Sequence, residues 1–319
     1  MSPLPIRAGR ALLLTLATGL AGAQQVRGPV MGFVVDAREH GIRPVLGVPG
    51  AAVVGPQLDA AKQIDAVAPS PLGNYVLVWV GESRRPALWL PAGELRALDG
   101  VTPGADSVAL SPEGSAAVFY RAGDSRLEVV SGLPDQQGTH SIDLALLPGG
   151  ITALAVSDDG ALALVAEAGG AAVVLGAAGE LNRYYFERPV SAMAFAPRTH
   201  DAVVAAGAEA VLLRGVEQPT ARTSLTVSAL GTVTAAAIAG DGRVFLAAAG
   251  SRKLATVVPG ETPAIVECDC VPEGLFRMND TSNYRLSGYA GGTMRVLDAS
   301  VTPPRIVIVP PTLEADKQP

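Results

Sequence analysis

The chain has 319 residues, of which 49% are hydrophobic and 17% charged, and its formal net charge is −6. So much apolar material excludes a disordered chain, which could not bury enough surface to offset the entropy of ordering. The acidic balance, without a cluster of Lys and Arg, excludes a nucleic-acid binder, because such binding rests on phosphate contacts. Aromatic residues are only 4%, so the core must be packed from Ala, Val and Leu.

Residues 1–23 read as a signal peptide. Arg7 and Arg10 give a positive start, Ala11–Leu20 is apolar, and Ala21-Gly22-Ala23 is a small-residue cleavage site. The run is too short to span a bilayer, and no Cys follows the site to carry a lipid. The mature chain is expected to begin at Gln24, to be periplasmic or secreted, and to hold no transmembrane segment after cleavage.

Gly32–Asp36 and Ile42–Pro49 then read as the third and outer strands of a propeller blade, with no inner-strand motif before them. Six segments follow that share one pattern: alternating apolar residues, a small residue, a turn and a second apolar run. They start at Asp65, Asp106, Ile151, Val190, Val233 and Glu273, and the small residue falls at Ser70, Ser111, Ser157, Ala196, Ala239 and Asn279. The pattern recurs at about forty residues, the length of a four-stranded blade. Its period of two and its Val-rich, Gly-bounded runs separate it from helical repeats of similar length. In the unit at Asp106 the four strands are predicted at Ser107–Leu110, Ala116–Tyr120, Arg126–Val130 and Ile142–Leu146. Asp159-Gly160 and Asp241-Gly242 supply the left-handed conformers of tight hairpins, and Met294–Asp298 with Arg305–Val309 completes the sixth unit.

Residues 24–311 are therefore predicted to form an all-β β-propeller of about seven four-stranded blades, the N-terminal one incomplete. Six blades plus an added hairpin is the alternative. Residues 312–319 form a polar C-terminal tail, expected to fray.

The segments VALSPEG from Val108, LAVSDDG from Leu154 and AIAGDG from Ala237 resemble the inner-strand-and-turn signature of WD-repeat-like bacterial secreted propellers. The resemblance covers nearly the whole mature chain. It implies a fold rather than an activity, and the Trp-Asp and Gly-His pairs of the eukaryotic WD class are missing.

Cys268-Asp269-Cys270 is the most unusual local feature. Two thiolates are too few for structural zinc, and a redox role would want C-x-x-C on a βαβ pattern; a local disulfide between Cys268 and Cys270 is expected. His40, His140 and His200 fall in unrelated repeats and read as surface residues, so no Ser-His-Asp set is expected. Asp158-Asp159 reads as hairpin chemistry. Gly169-Gly170 and Gly291-Gly292 precede no helix and read as turns, not phosphate cradles. No catalytic residue, metal ligand or cofactor is expected. Charged loops between second and third strands, carrying Arg84, Arg85, Asp124, Arg126, Arg252 and Lys253, are the candidates for a binding face, against the alternative of an ordinary solvated rim.

The function expected from these residues is an exported, non-enzymatic scaffold, monomeric, that binds an unidentified protein or small-molecule ligand. A propeller enzyme of lactonase or lyase type and a structural component of an envelope assembly are the alternatives.

Overall fold

A strand has two faces, and in this chain both are apolar. Ala163–Glu167, Ala171–Gly176, Ala202–Ala206 and Val244–Ala248 are buried at every position. Sheets made of such strands need cover on both sides. Stacking them around a ring supplies it, because each sheet then covers two neighbours. The computed structural model describes residues 29–58, 64–136, 138–144, 147, 150–218, 222–279 and 282–312. It is a seven-bladed β-propeller, with six four-stranded antiparallel sheets and one of three strands.

Blade 1 comprises Val30–Asp36, Gly41–Leu46 and Val53–Val54. The inner strands of blades 2 to 7 are Ile64–Pro69, Ser107–Leu110, Ile151–Val156, Val190–Phe195, Ala235–Ile238 and Phe276–Met278. Seven clusters of buried side chains fill the seven gaps between blades. The period of two divides each strand between two gaps. Ala202, Val204 and Ala206 pack toward blade 4, while Val203 and Ala205 of the same strand pack toward blade 6.

Blade 1 corrects the sequence reading. Val30 O accepts a hydrogen bond from Asn279 at the hairpin turn of blade 7, and Asp36 bridges Tyr289 in that blade's opposite loop. Val30–Asp36 therefore runs as the second strands of the other blades do. Gly41–Leu46 takes the third place and Val53–Val54 the fourth, so the assignments of Gly32–Asp36 as third strand and Ile42–Pro49 as outer strand move inward by one. The reason is that Val53–Val54 is only two residues long, at the end of the short run Ala51–Val54 between Gly50 and Gly55, and does not stand out as a strand. No inner strand precedes Val30 among the described residues, which fits an incomplete blade. Its clusters with both blade 7 and blade 2 make it a member of the ring rather than an appended hairpin. In blade 3 the outer strand is Gly138–Asp143, earlier than predicted, because its exposed polar residues hid it.

The chain's end closes the ring. Pro311 bridges Val54 in parallel. Val54 N donates to Pro310 O at 2.8 Å, Thr312 N donates to Val54 O at 2.8 Å, and the Thr312 hydroxyl adds a third bond at 2.9 Å. Residues 1–23 and 313–319, the signal reading and most of the tail, lie outside the described residues.

Each inner strand ends at a hairpin turn where Ser70, Ser111 and Ser157 are buried. Their hydroxyls accept the N–H of Tyr75 at 3.2 Å, Ala116 at 3.0 Å and Leu162 at 3.0 Å. Ala196 and Ala239 hold the same turn with backbone bonds to Asp201 and Arg243. These turns also join blades. Tyr75 donates its hydroxyl to Gly114 O at 2.6 Å. Gly114 has φ +74°, and a Cβ there would stand 2.9 Å from Pro71, so only glycine fits. Asp158 of blade 4 accepts from Glu113 N of blade 3 at 2.8 Å and from Arg198 N of blade 5 at 2.8 Å. Arg198 Nε reaches Glu113 at 2.9 Å. His200 stands between Asp159 at 3.0 Å and Glu217 at 3.2 Å.

Burial alone would lower the His200 pKa, but the hydrogen bonds and charges of Asp159 and Glu217 outweigh it and raise the value above 6.5. Only the imidazolium donates from both ring nitrogens.

Two predictions follow from this closure and latch. Truncation after Val309 removes the bonds to Val54 and is expected to lower stability by about 1–3 kcal/mol relative to truncation after Thr312, which keeps them; denaturant melts of both compare them. A raised His200 pKa makes its stabilisation full below about pH 6.5, and the stabilisation is lost as pH rises through the folded value. The stability gap between wild type and His200→Gln is therefore larger at about pH 5.5 than at about pH 8.5, and a gap that grows with pH contradicts the latch.

Candidate functional site

Two faces bound the ring. One carries the hairpins between first and second strands. The other carries the loops between second and third strands and the connections from blade to blade.

The six charged loop residues stand in or beside second-to-third-strand loops, and the side-chain contacts of Arg84, Asp124, Arg126 and Lys253 stay within their own blades. Arg84 lies over the Trp79 ring at 5.4 Å. Arg85 is exposed at the start of Arg85–Trp89, opposite Val80. Asp124 pairs with Arg121 and, at 3.9 Å, with Arg126. Arg252 O accepts Cys268 N at 2.8 Å. Lys253 meets Glu267 at 3.8 Å. Among the described residues no ion pair joins one of these loops to another.

Cys268 and Cys270 are disulfide-bonded, with Cα atoms 4.9 Å apart, directly after the outer strand Ala264–Glu267 of blade 6. Asp269 between them takes two bonds from Arg295 of blade 7, each 2.8 Å, and these hold its carboxyl below the usual range. The motif thus joins two blades and offers no ligand set; among the described residues no group of three or more His, Cys, Asp or Glu could hold a metal.

Asp158, Asp159 and His200 border a depression on the hairpin face with Glu113, Ser115, Arg198 and Thr199. Their polar atoms are spent on the latch between blades 3, 4 and 5. Asp159 does serve its own turn, accepting Ala161 N at 2.9 Å and the Ser157 hydroxyl at 2.6 Å. The reach of Asp158 to two neighbouring blades is invisible in a single repeat.

The central channel is different. It holds a cavity of about 370 Å³ to which all seven blades contribute. Phe33, Val67, Leu110, Leu154, Met193, Ile238 and Phe276 represent the blades in turn, and the described lining contains no carboxylate and no imidazole. Its charged members are Arg277 and Arg285, both of blade 7. The inner strand Phe276–Met278 runs toward the hairpin face, so Arg277 lies near that end. Its Nη1 crosses the channel to Pro112 O of blade 3 at 3.0 Å. Arg285 pairs with Phe276 across the sheet, toward the opposite mouth. It is only 9% exposed. Burial pushes its pKa down to about 10, which leaves it charged at neutral pH, and Glu273 opposes that shift.

Sequence reasoning looked for function in the charged rim and missed this wall. The inner-strand residues read as core because their alternation is that of core. Only the ring shows which of them border the axis.

No protein-family model matches the sequence, and no curated protein matches it. Solved structures do resemble it in shape. A streptogramin B lyase superposes with a TM-score of 0.56 at 11% identity, over 85% of this chain and 87% of that one. The hydrazine synthase of Kuenenia stuttgartiensis gives a TM-score of 0.56 at 12% identity, over 93% and 100%. Virginiamycin B lyase from Staphylococcus aureus gives 0.52 at 8% identity, over 75% and 82%. At such identities the likeness is one of fold: the chain shares the architecture of these proteins, a seven-bladed β-propeller.

Proposed function

We propose that this chain is an exported, non-enzymatic propeller that binds a largely apolar ligand in its central channel. The observation that carries the reading is the cavity itself: about 370 Å³, bordered by all seven blades, lined mostly by apolar side chains and with no carboxylate or imidazole in its described lining. Pockets of this size with apolar walls and a few placed polar groups are where small ligands bind. The absence of an acid–base pair favours holding over turnover, because proton transfer needs groups within hydrogen-bond reach of the reacting atoms. The ion pairs of Asp124 with Arg126 and of Lys253 with Glu267 lie within single blades and are partly exposed, which favours the solvated-rim reading of those loops.

Export is supported by the residues at the start, Arg7 and Arg10 before Ala11–Leu20 and Ala21-Gly22-Ala23. A disulfide between Cys268 and Cys270 is at home in an oxidising compartment. Among the described residues no helix is long and apolar enough to cross a membrane.

The lyase-type alternative has the channel as its natural active site too, but it would need a base there, and no imidazole borders the cavity among the described residues. His40 is exposed in the loop joining the first two strands of blade 1, His140 lies on the outer strand of blade 3, and His200 is in the latch.

Binding of a neutral, environment-sensitive fluorophore tests the channel. Ala68→Phe and Ala194→Phe, which fill it from blades 2 and 5, are each expected to weaken binding by about tenfold without lowering the melting temperature. Unchanged binding in both overturns the reading. Export has its own readout: the secreted or periplasmic protein is expected to begin at Gln24 on N-terminal sequencing, and retention of residues 1–23 in the cytoplasm contradicts it.

A further inference from the structure

Five charged side chains are buried among the described residues: Asp36, Arg43, Glu167, Arg285 and Asp298. A buried charge is costly unless an opposite charge or a full set of hydrogen bonds meets it. Four of the five are met in this way. Arg43 pairs with Asp36 at 2.9 Å, Glu167 with Arg183, and Asp298 with Arg305 at 3.1 Å. Among the described residues Arg285 forms no ion pair.

Its environment explains how it is held and what it lacks. Nη1 donates to Ser287 O at 2.6 Å. The guanidinium carbon lies 4.3 Å from the centroid of the Phe276 ring, a cation–π contact. Glu273 acts on it only from beyond ion-pair distance, and its own Oε2 is taken by Gly288 N at 2.8 Å. A guanidinium has five N–H donors, and Arg285 borders the cavity. The surface beside it is apolar: Phe276 is 46% exposed although it stands on an inner strand.

We propose that the ligand of the central channel is an aliphatic carboxylate, its chain along the apolar wall and its carboxylate paired with the Arg285 guanidinium. This rests on the channel reading above and adds the charge of the occupant. A planar guanidinium fork matches a carboxylate with two parallel bonds, and in a site sheltered from water such a pair is stronger than at a surface. The missing counter-charge is then supplied by the ligand. Arg277 keeps its bond to Pro112 at the other end, and the described lining carries no carboxylate.

Calorimetric titration of the folded chain with octanoate, octanol and acetate tests this. Octanoate is expected to bind one per chain and about tenfold more tightly than octanol, while acetate, which lacks the chain, binds more weakly than both. Arg285→Met is expected to bring octanoate and octanol within about twofold of each other. Octanol binding as tightly as octanoate to the wild type overturns the carboxylate and leaves the channel reading standing. Failure of both to bind, with the neutral fluorophore still bound, also overturns it alone; loss of the fluorophore as well overturns the channel reading. Should Arg285→Met not fold, the wild-type comparison decides by itself.

Discussion

Everything in this molecule follows from strands that are apolar on both faces. A sheet with one polar face can end at water, but a strand such as Ala202–Ala206, buried at every position, cannot. Each blade therefore depends on two neighbours, and the chain has no stable stopping point until the seventh gap is filled. That explains why blade 1 is kept although it has only three described strands. Val34, Val45 and Val54 cover blade 7, while Phe33 and Ile42 cover blade 2, with Phe33 edge-on to Trp89 at 5.7 Å. The same constraint explains the Ala-rich composition, since small side chains let sheets approach closely enough to fill the gaps without aromatic bulk.

The channel is a by-product of that constraint. Inner strands direct their side chains toward neighbouring blades, and their edges border the axis, so backbone N–H and C=O groups of those edges share the wall with the apolar side chains that frame them. Polar groups on the hairpin face are consumed in holding blades together: Asp158 ties three blades, Tyr75 ties two, and His200 is flanked by two carboxylates. On the other rim Asp124 pairs with Arg121 and Arg126, and Lys253 with Glu267 of the same blade. Arg285 stands apart from this economy as a buried cation with a ring and one carbonyl for company.

The repeat was legible because a blade is a local object. Ser111, Pro112, Glu113 and Gly114 mark a hairpin wherever they stand, and Met294–Asp298 with Arg305–Val309 form the last two strands where alternation places them. What could not be read was whatever depends on the ring. Val53–Val54 is two residues long and owes its place to Leu46 and Pro311, far apart in sequence. The outer strand Gly138–Asp143 is largely exposed and polar, so it lacks the alternation that betrays inner strands. Asp158 looked like a turn residue because its second partner is forty residues away on the next blade. Arg285, in the run Asn283–Arg285, sits in an apolar repeat position where a charge carries no motif; its meaning comes from the carboxylate that is not beside it.

An experimental structure of the protein crystallised with octanoate tests the central claim most directly. The account predicts density for one ligand inside the channel, its carboxylate within hydrogen-bond distance of Arg285 and its chain against Phe276 and the inner strands. Ligand density confined to the rim loops at Arg84, Asp124 or Arg252, with the channel holding only water, would contradict it.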